Sequence, residues 1–259
     1  MRLLFGAAAA IALTFLALPV LAIFLRVSPT TLVHELSSPV ARDALVVSLR
    51  TSALAQALVL VLGTPTAYLL ATHRFRGRTV LLTLVELPLV LPPVVAGIGL
   101  FAAFGRTGLL STSVAFTQLA VVFAIAFVSA PFFVRTAVAS FETLDPTLVS
   151  AARTLGAGPW RVFSRVALPL AASGLAAGLA LSFARGLGEF GATIMFAGSL
   201  QRVSQTLSLA IYAEFARSFD VALAMGALLV AFSFILLLVV KWLNFGWTSS
   251  FRSAPSTSG

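Results

Sequence analysis

Few side chains in this sequence can do chemistry. The 259 residues hold eight carboxylates, two histidines and no cysteine, so a disulfide framework, a thiolate metal site and a cysteine nucleophile are excluded. His34 and His73 fall in expected loops, no His-Glu-x-x-His occurs, and no aspartate pair lies inside an apolar run. Metal-dependent and aspartyl intramembrane hydrolysis therefore lack their parts. A phosphate loop of the form Gly-x-x-x-x-Gly-Lys-Ser/Thr is also missing, which leaves the chain without that kind of nucleotide site. What remains is a set of charges in unusual places. Arg50, Arg135 and Arg185 fall within or at the ends of apolar runs, where an arginine costs ~2.5–3.5 kcal/mol on insertion scales. They need carboxylate partners or water, and Glu86 and Glu189 are the only acids in comparable positions. Glu189 follows Arg185 by four residues, within helical reach. Two readings stay open: Arg50 or Arg185 meets an anion in a pore, or these groups snorkel to an interface and form structural pairs.

The elements that must carry these residues are membrane spans. Hydrophobic residues make up 59% and charged residues 10% of the chain, against roughly 25% charged in an ordinary soluble domain, and the mean hydropathy is +1.06. The net charge of +9 does not point to nucleic acid, because the basic residues form no dense stripe interleaved with aromatics. A bilayer core needs ~20 apolar helical residues, and six such stretches lie near Leu3–Leu25, Ala44–Ala71, Val80–Phe104, Val114–Ser140, Val166–Ala197 and Val221–Leu243. The first exceeds the ~7–15-residue core of a signal peptide and reads as an uncleaved span. An all-α integral membrane protein of six transmembrane helices is expected. With a cytoplasmic N-terminus, the inner segments hold Arg2, Arg74, Arg76, Arg78, Arg153, Arg161, Arg165, Lys241 and Arg252; the outer ones hold Arg26, Arg42, Arg106, Arg202 and Arg217. The basic excess inside favours this orientation, with both termini cytoplasmic.

Two stretches break the regular pattern. The third span contains Glu86-Leu-Pro-Leu-Val-Leu-Pro92-Pro93, where proline removes amide donors; a broken helix facing the bundle interior and a simple packing kink are both open. The loop from Phe141 to Pro169 is too long for a plain connector and reads as two short helices. Asp145 caps the first, with Pro146 at its first position. Leu148, Ala151, Ala152 and Leu155 form a small apolar face, and Gly156 ends the helix. Pro159 starts the second, with Trp160 and Phe163 on one side and Arg161 and Arg165 on another, and Leu168-Pro169 leads into the fifth span. Such a knob suits insertion into a groove on a soluble partner.

Ser150-Ala-Ala-Arg-Thr-Leu-Gly156, then Phe163, then Leu168-Pro169, resembles the "EAA" loop of bacterial type I ABC importer permeases, with Ser150 in the usual glutamate position. The resemblance runs from Ala44 to Leu243 and implies the type I permease fold. Residues 1–43 are then an extra first helix with its external loop, 44–243 the permease domain, and 244–259 a cytoplasmic tail. It also implies a homodimer in the cytoplasmic membrane with two copies of an ABC ATPase and one external substrate-binding protein. ATP would sit on the ATPase and no cofactor on this chain, and Ser150, Ala151, Ala152, Arg153, Leu155, Gly156, Trp160, Phe163 and Pro169 would couple the two subunits. Arg74-Phe-Arg-Gly-Arg78 leading to Glu86–Pro93, and Arg185-Gly-Leu-Gly-Glu-Phe-Gly-Ala-Thr-Ile194 followed by Gln205-Thr-Leu207, are similar to molybdate permeases; tungstate and sulfate permeases carry similar runs. An oxyanion pathway needs hydroxyls, amides and balanced positive charge, which makes Arg50, Glu86, Pro92, Pro93, Arg185 and Glu189 the candidate pore and gate residues. A self-sufficient ion-coupled carrier or channel is the competing class, although no convincing internal repeat is visible.

Overall fold

A computed structural model describes the backbone of residues 1–252 and, through Ile235, every side chain but those of Leu3, Glu35 and Leu36. Among the described residues every regular element is helical. The first helix, α1 (Arg2–Arg26), is apolar on all sides and almost wholly exposed, as a lipid-facing helix must be. A short amphipathic helix, α2 (Pro29–Ser37), follows and carries His34, so that residue lies in a helix and not in the loop expected there. The long α3 (Pro39–Thr72) starts where Ser38 accepts the Ala41 amide at 3.1 Å and Pro39 occupies the first position. At 34 residues it reaches ~51 Å, more than the ~30 Å hydrocarbon layer.

The third apolar stretch is not one straight helix. It divides into α4 (Arg78–Val90) and α5 (Pro93–Phe104), whose axes meet at 116°. Leu91 and Pro92 are extended at the break, and neither Pro92 nor Pro93 has an amide to continue the helical ladder. α4 has no buried residue, whereas α5 buries Ala96, Gly97 and Leu100.

The central post is α6 (Gln118–Glu142), which buries Val121, Ile125 and Phe133 almost completely. The loop that follows holds α7 (Pro146–Thr154) and α8 (Pro159–Val162). The expected second short helix is not separate. From Pro159 it runs through a π-turn at Phe163–Ala167 into α9 (Leu168–Leu187), a single helical run of 29 residues. The expected fifth span ends ten residues early, because the chain leaves the helix at Gly188 and resumes as the separate α10 (Gly191–Ala197). Gly174 and Gly178 of α9 bring it against α6 of the same chain: a Cβ at Gly174 would lie on the Ser140 hydroxyl. Helices α11 (Leu207–Phe215) and α12 (Phe219–Arg252) complete the chain.

Among the described residues, four helical runs are long and apolar enough to cross a membrane, namely α1, α3, α6 and Pro159–Leu187, or five if α4 and α5 form one broken span. The sixth expected stretch coincides with α12, whose described apolar portion is Phe219–Ile235. The Lys241 side chain and the tail from residue 253 onward lie outside the described residues.

The bundle has two distinct ends. At one, Tyr68 of α3 meets Phe141 of α6, and Arg78 at the start of α4 pairs with Glu142 at the end of α6. At the other, Asp43 of α3 accepts from Gln201 and Arg202, the Ser48 hydroxyl accepts the Leu207 amide, and the Arg26 guanidinium lies over the Phe219 ring.

Candidate functional site: the α7–α8 protrusion and the charges in the spans

Helix α7 is built as a self-contained turn of surface helix. Asp145 starts it by accepting the Thr147 amide at 2.8 Å, with Pro146 next in line. That backbone bond, helped by the Thr147 side chain, holds the Asp145 carboxyl below the usual carboxylate range. At the other end the Gly156 amide donates to Arg153 and the Ala157 amide to Ala152, with Gly156 at φ +80°. This is a Schellman termination, which satisfies carbonyls that would otherwise be orphaned. The Ser150 hydroxyl donates to the Pro146 carbonyl at 2.9 Å, so the side chain that replaces the expected carboxylate is turned onto its own helix.

The face formed by Leu148, Ala151 and Leu155 is open; Leu155 is 88% exposed and Ala152 half-buried. Trp160 is 73% exposed at the start of α8. An apolar surface of this kind outside the spans is what a docking face requires. Its root, by contrast, is fixed. Trp160 lies 5.6 Å from the Phe163 ring, Phe163 lies 4.8 Å from Tyr68, and Tyr68 lies 5.3 Å from Phe141. Val162 is fully buried. An aromatic chain thus ties the protrusion to α3 and α6, and the π-turn joins it covalently to α9. Pro169 is exposed near the start of α9.

The candidate pore residues do not converge on one site. Arg185 pairs with Glu189 at 2.8 Å, and the buried Glu189 carboxylate also accepts the Ala192 amide at 2.8 Å, capping α10 just after the helix break. Arg185 thus has the carboxylate partner that its place in an apolar run requires. Arg135 of α6 and Glu86 of α4 approach to 3.2 Å with 61% and 40% of their side chains exposed. Arg50 is exposed and has no ion-pair partner among the described residues. Pro92 and Pro93 form the α4–α5 break, which α10 supports through Gly191 against Pro93 and Gly97 against Ala192.

The sequence reading missed the ties that span the chain. Ser129 of α6 is shared between Gln56 of α3, whose amide donates at 3.3 Å, and Ser182 of α9, whose hydroxyl donates to its carbonyl at 3.0 Å. Arg78–Glu142 and Arg202–Asp43 join residues 64 and 159 positions apart, and no local pattern signals either.

Residues 60–248 match the family model of the binding-protein-dependent transport system inner membrane component. The chain is 43% identical over 237 residues to the molybdenum transport system permease protein ModB of Mycobacterium tuberculosis, covering 88% of this chain and 89% of that one. It is 38% identical to ModB of Escherichia coli K12, covering 78% and 92%. The sulfate transport system permease protein CysT of the same organism is 39% identical, with smaller shares of 71% and 69%. Among solved structures, a bacterial alginate ABC transporter in complex with its periplasmic protein has a chain that superposes with a TM-score of 0.74 at 17% identity, covering 94% of each. A chain of the inward-facing MetNI methionine ABC transporter superposes with a TM-score of 0.65 at 18% identity, covering 80% of this chain and 95% of that one. These two likenesses concern the fold alone.

Proposed function

This chain belongs to the binding-protein-dependent transport system inner membrane components, and on that premise we propose that it is the permease subunit of an ATP-driven importer that carries molybdate across the cytoplasmic membrane. The observation that carries the reading is the α7 protrusion. It is capped at both ends, open on its apolar face, and bound at its root to three spanning elements. A motor subunit gripping such a knob could drive helices that carry no phosphate loop of their own. Molybdate is favoured over sulfate because the ModB relatives of Mycobacterium tuberculosis and Escherichia coli align over 88% and 78% of this chain, against 71% for the sulfate permease.

In this reading two copies of the chain form the pathway, two ATPase subunits grip the two α7 helices, and an external binding protein delivers the anion to the opposite end. The chain crosses six times, through α1, α3, the α4–α5 pair, α6, Pro159–Leu187 and α12. Both termini, the Arg74–Arg78 loop and α7 are cytoplasmic, in keeping with their basic residues. ATP-driven closure of the ATPases moves α7, and the aromatic root passes that motion to α3, α6 and α9. The Glu86–Arg135 pair supports a water-lined passage. Arg135 sits seven residues before the end of α6, ~10 Å in from the helix end, and a half-exposed charge pair at that depth requires water or protein rather than lipid.

The test is uptake by vesicles containing this chain, its ATPase and its binding protein. Molybdate should accumulate only with ATP inside the compartment bearing the ATPase, and tungstate should compete better than sulfate. Accumulation by the chain alone, without ATPase, would reject the importer and favour the ion-coupled carrier.

A further inference from the structure

Beside α7 lies a cleft of about 680 Å³ between the end of α3, the start of α4 and the end of α6. Its charged lining is Arg74, Arg78, Glu142 and Arg153. Arg78 is committed: its Nε donates to the Leu70 carbonyl at 2.6 Å and it pairs with Glu142. Arg74 and Arg153 have no ion-pair or hydrogen-bond partner among the described residues. With serine rather than an acid at position 150, the single carboxylate in the lining is already engaged, and two guanidiniums face the cleft unbalanced. The rest of the wall includes the apolar Phe141 and Leu144, at the end of α6 and just beyond it.

We infer that this cleft binds the phosphate of an anionic phospholipid, held between Arg74 and Arg153. Guanidiniums match phosphate oxygens bidentately, and basic pockets between helices at the cytoplasmic surface bind acidic headgroups. The apolar wall beside the charges suits the glycerol and first acyl carbons of a lipid, whereas a carboxylate from a protein partner would leave that wall unfilled. The bound lipid would bridge the α3–α4 turn and α7, so membrane composition would set how firmly the protrusion is held. The inference rests on the cytoplasmic placement of α7. A wild-type complex that fails to import with ATP contradicts that placement, while one that imports but holds no anionic lipid contradicts the lipid site alone.

The experiment purifies the permease–ATPase complex from phosphatidylcholine bilayers doped with phosphatidylglycerol and counts the retained lipids by native mass spectrometry. Wild type should retain phosphatidylglycerol in preference to phosphatidylcholine. Arg74→Gln should lower that retention about fivefold, Arg74→Lys, which keeps the charge but loses the bidentate fork, should lower it by less, and Arg106→Gln, in the loop after α5, should leave it unchanged. Equal retention by Arg74→Gln overturns the site. So does displacement by inorganic phosphate at constant ionic strength, which marks a free-anion site, or retention by the permease purified alone with none in the complex, which marks a protein carboxylate as the occupant.

Discussion

Gly156 offers the sharpest test of how α7 works. Its φ of +80° is a conformation that L side chains rarely adopt, yet a Cβ placed there would meet nothing within 4 Å. A substitution therefore strains the backbone without disturbing any packing. Left-handed geometry costs ~1–2 kcal/mol for a residue with a Cβ, and a β-branched side chain stands at the upper end. Gly156→Val at ~2 kcal/mol shifts the turn away from its native form by about 25-fold, and Gly156→Ala at ~1 kcal/mol by about fivefold. If the ATPase grips only the native turn, its apparent affinity for the permease falls by at most those factors. Gly156→Asn should be mild, because asparagine tolerates this region. The assay is the ratio of molybdate imported to ATP hydrolysed in reconstituted vesicles, with membrane insertion checked separately. The expected order of coupling is wild type, Asn, Ala, Val, with normal insertion throughout. An unchanged ratio in Gly156→Val refutes the claim that this turn transmits the drive.

Other substitutions probe the spans. Glu189→Ala leaves Arg185 facing a buried gap and uncaps α10; with Arg185 still 30% exposed, about 2–3 kcal/mol of stability should be lost, read as a lowered unfolding temperature in detergent, and Glu189→Gln should lose less. Gly97→Val should destabilise by about 1–3 kcal/mol, because a Cβ there comes within 2.7 Å of the Ala192 carbonyl oxygen, whereas Gly99→Ala, with open space around it, should be neutral or stabilising in the same melts. Charge reversal at Glu86 or Arg135 alone should abolish uptake and the double exchange E86R/R135E should restore part of it; no restoration argues against the pair as a unit. For Asp145, the depressed folded pKa means that the cap's contribution is present above the ordinary carboxylate value and lost as pH falls through the folded value. Pepsin should therefore nick the loop at residues 145–158 increasingly below that range, with no matching step in Asp145→Asn.

How much of this was legible beforehand divides by distance along the chain. The α7 cap, its apolar face and its glycine stop are local patterns, and Asp145, Pro146, Ala151 and Gly156 behave as their spacing predicted. The partner of Arg135 was within reach as well, since Glu86 is one of very few acids at comparable depth. The break at Pro92-Pro93 was visible, but not its 116° angle, which depends on α5 packing against α10. The end of the fifth span after Leu187 was missed because residues 188–197 carry a single charge and continue the apolar run, whereas the chain leaves the helix at Gly188 and the buried Glu189 turns to cap α10. The second short helix merged with the span for the opposite reason. Pro169 in the second position of α9 has no lost hydrogen bond to force a break once the π-turn at Phe163–Ala167 absorbs the mismatch. Arg78–Glu142 joins residues too far apart for any local pattern.

The absence of cysteine from the chain allows a direct measurement of where α7 lies and what touches it. In a Leu155→Cys variant, a membrane-impermeant maleimide should label inverted vesicles and spare right-side-out ones. A short bifunctional thiol cross-linker should join the same residue to the ATPase, and the yield should change with ATP. Labelling from the external side, or a protrusion that never cross-links to a nucleotide-hydrolysing subunit, would contradict the proposal that an outside motor drives these helices through α7.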